Sequence, residues 1–333
     1  MNIGVDASSM ALSGAVTAQV QDVTAGYWNP AGLFRVNDSE LALMHASYFA
    51  NIAQYDYAGF SKKIDEKSAF GISAIRFGVD DIMNTTQLID SEGNINYDRI
   101  SLFSTADYGF LFSYARSTPV EGFTYGVNAK IIRRVIGDFA SSWGFGFDFG
   151  VQYQKDTWNF GLMLRDITTT YNTWNINEKE FNKIRDAVQG QNQELPETTE
   201  ITLPKMQLGV ARSFVISNDY TIQPSLNLNM RFIRTNDIFN TNGFSIDPAV
   251  GVQADYNKMV FLRVGGGNFQ EVVQIDNSQT IAFQPNVGLG FKYKGVQIDY
   301  ALTDIADQSV AVYSHIFSLK VDLSMFKKSN TDE

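Results

Sequence analysis

Residues 143–154 read Trp143-Gly144-Phe145-Gly146-Phe147-Asp148-Phe149-Gly150-Val151-Gln152-Tyr153-Gln154. Every odd position is bulky and apolar; every even position is small or polar. Alternate side chains of a β-strand point to opposite faces, so this stretch is a strand with one apolar face and one polar face. The pattern recurs. Tyr220, Ile222, Pro224, Leu226, Leu228, Met230 and Phe232 alternate with Thr221, Gln223, Ser225, Asn227, Asn229 and Arg231. Phe283, Pro285, Val287, Leu289, Phe291 and Tyr293 alternate with Gln284, Asn286, Gly288, Gly290 and Lys292. Residues 123–131 and 108–114 behave alike.

Carried along the chain, the period gives about 14 strands. They fall near 40–50, 54–64, 68–78, 105–116, 123–135, 140–155, 158–168, 205–215, 220–234, 245–256, 259–266, 281–293, 296–303 and 309–323. Most reach the roughly 9–11 residues that a tilted membrane strand needs. Tight connections (65–67, 117–122, 155–157, 216–219, 257–258, 294–295) alternate with longer ones (79–104, 169–204, 235–244, 267–280). Short turns on one rim and long loops on the other are the plan of an outer-membrane barrel. A soluble β-sandwich would have to hide all these aromatic faces in one two-sheet core, and its solvent faces would carry more charge. The expected fold is all-β, a 14-stranded antiparallel transmembrane β-barrel over 38–326, preceded by an N-terminal luminal plug at 1–37 and followed by a short periplasmic tail at 327–333.

Composition agrees. The 333 residues include 25 Phe, 15 Tyr and 4 Trp, enough for aromatic girdles. The mean hydropathy of −0.15 is what alternation gives. No run approaches the ~18 apolar residues of a membrane helix. A net charge of −10 speaks against a nucleic-acid partner. The chain has no cysteine, hence no disulfide or thiolate chemistry. The opening Met1-Asn2-Ile3-Gly4 lacks the basic and apolar regions of a signal peptide, so an outer-membrane location implies that the leader has been removed.

Residues 1–37 do not alternate. Asp6 is placed to cap a short helix, and Asn29-Pro30 marks a turn. Tyr27 and Trp28 seek burial, which favours a plug folded into the barrel over a loose periplasmic arm. The stretch from Gly14 to Leu33, with Asp22, Tyr27 and Trp28-Asn29-Pro30-Ala31-Gly32-Leu33, resembles the mature N-terminus of the FadL superfamily, nearest to its PorV/PorQ branch, found in Bacteroidota. The last strand, through His315, Phe317, Ser318, Leu319 and Val321, resembles that branch as well.

The resemblance implies a hatch made of Asp22, Tyr27, Trp28, Asn29 and Pro30. It further implies a role as an outer-membrane subunit of a secretion apparatus of type IX, embedded in outer-membrane lipid and binding a large translocon barrel or its substrates. The chain reads Asn-Pro-Ala-Gly-Leu where the branch's substrate shuttle differs after Asn-Pro-Ala, which favours an accessory paralogue. Other superfamily members pass small hydrophobic molecules passively, and that is the alternative. An apolar path past the plug discriminates between them. The inward sets read here (Thr, Gln, Ser, Asn and Gly, with Asp148, Arg231 and Lys292) suggest a wet interior suited to packing a polar plug.

Other candidates carry less. His45 and His315 lie far apart in strands and suggest wall residues rather than a metal site. Asp80-Asp81 and Asp90-Ser91-Glu92-Gly93-Asn94 read as a solvated loop, their spacing unlike a calcium-binding EF-hand. Gly265-Gly266-Gly267 reads as a flexible rim rather than a phosphate loop. Within the long outer loop 169–204, Phe181, Ile184 and Val188 share one face of a short helix, with Trp174 before it. That face either covers the barrel mouth or docks a partner. Nothing reads as an enzyme, a cofactor site or a metal site; no Ser/His/Asp constellation is present.

Overall fold

The computed structural model describes residues 3–49, 51–89, 92–187, 197–273, 278–303 and 313–330. The wall is a closed antiparallel barrel of fourteen strands. These are β1 (Ser39–Tyr48), β2 (Ala53–Asp65), β3 (Ser68–Asn84), β4 (Ser101–Ser117), β5 (Phe123–Ile136) and β6 (Ala140–Lys155). β7 runs in two pieces, Trp158–Arg165 and Thr170–Ile176, and so does β8, Thr199–Thr202 and Lys205–Arg212. Then follow β9 (Tyr220–Arg231), β10 (Ser245–Tyr256), β11 (Val260–Val273), β12 (Gln279–Tyr293), β13 (Val296–Thr303) and β14 (Ser314–Asp322). Each strand pairs with its chain neighbours, and β14 closes on β1 from Glu40↔Asp322 to Ser47↔His315. Closure leaves no sheet edge to be satisfied, the condition for a sheet to cross hydrocarbon.

The alternation has the expected hand. Trp143, Phe145 and Phe147 of β6 are 50–58% exposed on the outer surface, whereas Ser142, Asp148 and Gln152 on the opposite face of the same strand are buried. Toward the short-turn rim the outer aromatics pair across strands: Tyr153 with Phe160, and Tyr220 with Tyr256. This is the girdle that the aromatic content foretold. The turns there are tight; Asn257 and Lys258 both take positive φ, as a two-residue hairpin with the twist of its strands requires.

Strands extend beyond the expected limits at the long-loop end. β3 continues to Asn84, and β4 begins at Ser101, inside the loop expected at 79–104. The segment 169–204, expected as one loop with a helix, contains strand on both sides of helix α3 (Glu178–Ala187). β11 and β12 likewise shorten the loop at 267–280. Outside hydrocarbon a hairpin ladder needs no apolar face, so these extensions lack the alternation that reveals the rest. Residues 309–312 lie outside the described residues.

The N-terminal residues pass through the interior. Helix α1 (Ala7–Met10) is capped by Asp6, and helix α2 (Ala25–Trp28) leads into a 3-10 turn, Pro30–Arg35, capped by Asn29. Val5, Ala7, Ala11, Val23, Ala25, Ala31 and Leu33 are buried to 1% exposure or less. The wall admits this chain by omitting side chains. A Cβ on Gly126 of β5 would lie 2.4 Å from the carbonyl carbon of Pro30, and one on Gly265 of β11 2.5 Å from that of Leu12. Gly265-Gly266-Gly267 is therefore not a flexible rim. It is paired strand, and Gly265 makes way for the backbone inside.

Gly126→Leu is expected to push the Pro30–Arg35 turn off the wall at a cost of about 1–3 kcal/mol, the usual range for overpacking. Planar-bilayer recording checks this: the variant should show larger or more frequent conductance steps than the wild type, with the heat-modifiable mobility of a folded barrel retained.

Candidate functional site

A chain without regular secondary structure exposes backbone donors and acceptors that must find partners when buried. Here the inward amides of the wall supply them. Asn128 Nδ2 donates to the Gly26 carbonyl at 2.8 Å, and Gln152 Nε2 to that of Val20 at 2.9 Å. Asn227 Nδ2 donates to the Gly14 carbonyl at 3.0 Å, and Asn286 Nδ2 to Ser13 Oγ at 2.7 Å. Arg165 of β7 donates to the Tyr27 carbonyl at 2.9 Å and stacks 4.6 Å over the Tyr27 ring. Sequence reading sorted these side chains to the inner face but gave no means of matching each to a carbonyl far away in the chain.

Four of the five expected N-terminal residues sit in this network, and Pro30 starts the 3-10 turn. Asn29 donates from Nδ2 to Thr17 O at 2.9 Å and to Val151 O of β6 at 3.0 Å. Trp28 Nε1 donates to Val5 O at 3.0 Å, and Tyr27 Oη to Ile3 O at 2.7 Å. Asp22 accepts from Lys320 Nζ of β14 at 2.7 Å, and the same ammonium reaches Asp6 at 2.9 Å. Burial works against the Asp6 charge. The Lys320 ammonium and hydrogen bonds from Lys320, Ser8 and Ser318 outweigh it and hold the carboxyl below the usual carboxylate range. Lys320 had no sequence signal beyond an inward position in the last strand.

The inner wall has two characters. β5, β6, β9 and β12 present the expected amides and hydroxyls. β1–β4 do not. Their inward residues include Met44, Tyr48, Tyr55, Tyr57, Ile75 and Leu111, which pack with Trp28 and Tyr27 into one apolar cluster. The wet interior expected throughout therefore holds for part of the circumference only. β1 and β2 carry apolar residues on both faces, with Leu41, Leu43 and Phe60 outward beside His45 and Asp56, so the sequence did not mark which face was the apolar one.

Above this cluster, toward the long loops, lies a cavity of about 270 Å³. Met10, Tyr27 and Trp28 line it from the N-terminal segment, and Arg165, Lys205, Arg231, Asp247 and Asn286 from the wall. Tyr27 and Arg165 also line a smaller cavity of about 40 Å³ that runs between Ile75, Leu111 and Ile132 to Asp166 and Thr202. Asp166 stands where β7 is interrupted; it takes φ 55° and pairs with Lys130 at 2.6 Å. Leu203 and Pro204 interrupt β8 beside it. A larger cavity of about 550 Å³ lies at the short-turn end, lined mainly by polar residues such as Gln19, Gln223, Gln253 and Gln297.

The remaining candidates are scattered. Trp174 belongs to β7; its indole donates to Glu200 at 3.2 Å and lies 5.1 Å from the Arg134 guanidinium, tying it to its own barrel mouth. Phe181 is half-buried in α3, Ile184 belongs to the same helix, and Val188 lies outside the described residues. His45 and His315 both face outward. His45 meets Asp56 at 2.7 Å, and His315 accepts or donates a 2.7 Å hydrogen bond with Tyr300. Asp80 is in β3, not in a loop, and pairs with Arg76 at 3.0 Å.

No family model matches the chain, and no curated protein matches it. Solved structures do. The toluene transporter TbuX of Ralstonia pickettii matches at 11% identity over 96% of this chain and 98% of its own, with a TM-score of 0.56. The monoaromatic hydrocarbon channel CymD matches at 12% identity over 95% and 96%, with a TM-score of 0.58. A FadL homologue of Pseudomonas aeruginosa matches at 12% identity over 96% and 98%, with a TM-score of 0.53.

Lys320→Met is expected to leave Asp6 and Asp22 without their shared cation and to cost about 3–5 kcal/mol, as breaking a buried pair does. Acid acts on the same anchor. The depressed Asp6 carboxyl contributes stability above its ordinary range, and this is lost as pH falls through that range and then through the lower folded value. Bilayer conductance should rise below about pH 4 in the wild type, and already at pH 7 in Lys320→Met. A variant as quiet as the wild type at both pH values excludes this anchor. The fold as a whole is that of these FadL-type outer-membrane barrels.

Proposed function

We propose that this chain is a passive outer-membrane transporter of small, largely hydrophobic molecules, with its N-terminal segment as the hatch. The observation that carries this reading is the aromatic-floored cavity of about 270 Å³ that opens onto an apolar inner wall at Tyr27. A solute held over Trp28 has a way past Tyr27 beside Ile75 and Leu111 into the small cavity behind the interruption in β7 and β8, whose far side carries Lys130, Asp148 and Asp166. Movement of the Tyr27 ring, stacked under Arg165, is the step such passage requires. The likeness in fold to toluene and monoaromatic channels supports the same reading.

A specific observation keeps the secretion-subunit reading in view. The outer surface of β1–β3 carries an ionic cluster: His45–Asp56 at 2.7 Å, Arg76–Asp56 at 3.7 Å and Arg76–Asp80 at 3.0 Å. At a comparable distance from the short-turn rim, β6 presents Phe147 and Phe149. Exposed charge costs up to about 2–4 kcal/mol at the bilayer midplane and much less near the interfaces. A protein partner of the translocon type seated on β1–β3 removes that contact with lipid.

Radiolabelled toluene supplied to cells that carry this barrel should enter several-fold faster than into cells lacking it. Equal rates remove the transport reading. Mild-detergent isolation from native outer membranes tests the other: co-purification of a very large barrel with further secretion components supports it, and recovery of a lone barrel dismisses it.

A further inference from the structure

Lys130, Arg134, Arg231, Arg263 and Lys320 each hold a carboxylate at 2.6–3.0 Å. Arg212 holds none. It points outward from β8 near the short-turn rim, between Ala211, which is buried, and Ser213, which lines the polar cavity inside. Its guanidinium carbon lies 4.8 Å from the centre of the Trp158 ring and 4.6 Å from that of Phe214. Nε is buried without a hydrogen-bond partner. The two Nη atoms, which carry the other four N–H groups, reach the surface, and among the described residues nothing accepts from them.

Two more donors stand beside it. Lys155 of β6 is the register partner of Trp158 in β7, and Trp158 is that of Arg212. All three side chains fall on the outer face, in one row about 10 Å long across three strands. Among the described residues neither the Lys155 ammonium nor the Trp158 indole N–H has a partner. Asp156, in the turn between them, pairs with neither.

Position fixes the class of ligand. The row lies in the aromatic girdle of the short-turn rim, where Trp158 stacks on Phe160 at 6.0 Å and Phe160 on Tyr153 at 6.4 Å. Indole rings gather at the level of lipid headgroups, and an outward arginine is tolerated there but not at the bilayer centre. Short turns face the periplasm, so the leaflet is the periplasmic one. The anion at this depth is the phosphodiester of a phospholipid. A guanidinium takes two phosphate oxygens at once, and its contact with two rings limits the freedom lost on binding. Lys155 adds a mobile positive charge and Trp158 a further N–H.

We propose that Lys155, Trp158 and Arg212 form a binding site for the phosphate of one phospholipid in the periplasmic leaflet, with Arg212 as its chief donor. The site is independent of what the lumen carries.

The test is native mass spectrometry of the full-length barrel, released from detergent that contains either dioleoyl-phosphatidylglycerol or dioleoylglycerol, which has the same chains and no phosphate. The wild type should retain one phosphatidylglycerol and no dioleoylglycerol. Arg212→Ala should weaken retention about tenfold, the size of a charge-assisted hydrogen bond, and Arg212→Lys should recover part of it. Lys155→Ala should weaken it several-fold, and serves if Arg212→Ala loses its heat-modifiable mobility. Arg133→Ala is the control. Arg133 also faces outward over a tryptophan, 5.0 Å from the Trp143 ring, but it donates to the Ser142 carbonyl at 3.3 Å, and its loss should change nothing. Equal retention of the two lipids, or of phosphatidylglycerol by the wild type and Arg212→Ala, overturns the proposal. So does an equal loss in Arg133→Ala, which would mark a general effect of surface charge.

Discussion

A chain that forms only short helical turns inside a closed barrel pairs part of its backbone within itself and must send the rest of its hydrogen bonds to the wall. That constraint organises this protein. The Asn and Gln side chains of β5, β6 and β9 end on the carbonyls of Gly26, Val20, Thr17 and Gly14. Where the inner chain comes closest, the wall has glycine. Each of these amides thus replaces a water that the carbonyl would otherwise need. The two ends of the described chain are joined in the same way, because Lys320 in the last strand holds both Asp6 and Asp22.

Polar satisfaction on one side releases the other side from that duty. The segment turns its apolar residues, Val5, Val23, Tyr27 and Trp28 among them, toward β1–β4, where the wall answers with Met44, Tyr55, Ile75 and Leu111. Packing of this kind is less specific than a hydrogen-bond network and opens with fewer broken partners. The cavities that border Tyr27 lie along the seam between the two halves, with Arg165 on the polar side and Ile75 and Leu111 on the apolar side.

The outer surface carries a similar asymmetry. β6 and β9–β12 face outward with aromatic and aliphatic side chains along their length, while β1–β3 place His45, Asp56 and Arg76 among them. Charge of this kind on a wall is a functional hypothesis by default in a membrane protein. It sits on strands whose inner faces carry large apolar side chains, while their outer faces mix these charges with Leu43, Phe60 and Ile72.

Period two by itself determined the strands, their lipid face and the barrel, because a residue's side of a sheet depends only on its own position in the alternation. It served best where one face is uniformly apolar, as in β6, β10 and β13. It was silent where neither face is, as in the upper parts of β3, β7 and β8, and it misjudged the lumen beside β1–β4, whose outer faces are mixed. The Trp28-Asn29-Pro30 stretch was legible as a buried turn from its own residues. The partners of that turn were not, since Asn29 donates to the carbonyls of Val151 and Leu162 across more than a hundred residues of chain. Which inward side chain meets which carbonyl and where the cavities open are decided by closure of the barrel. Closure fixes the stagger of every strand against the segment inside, and no local pattern records it.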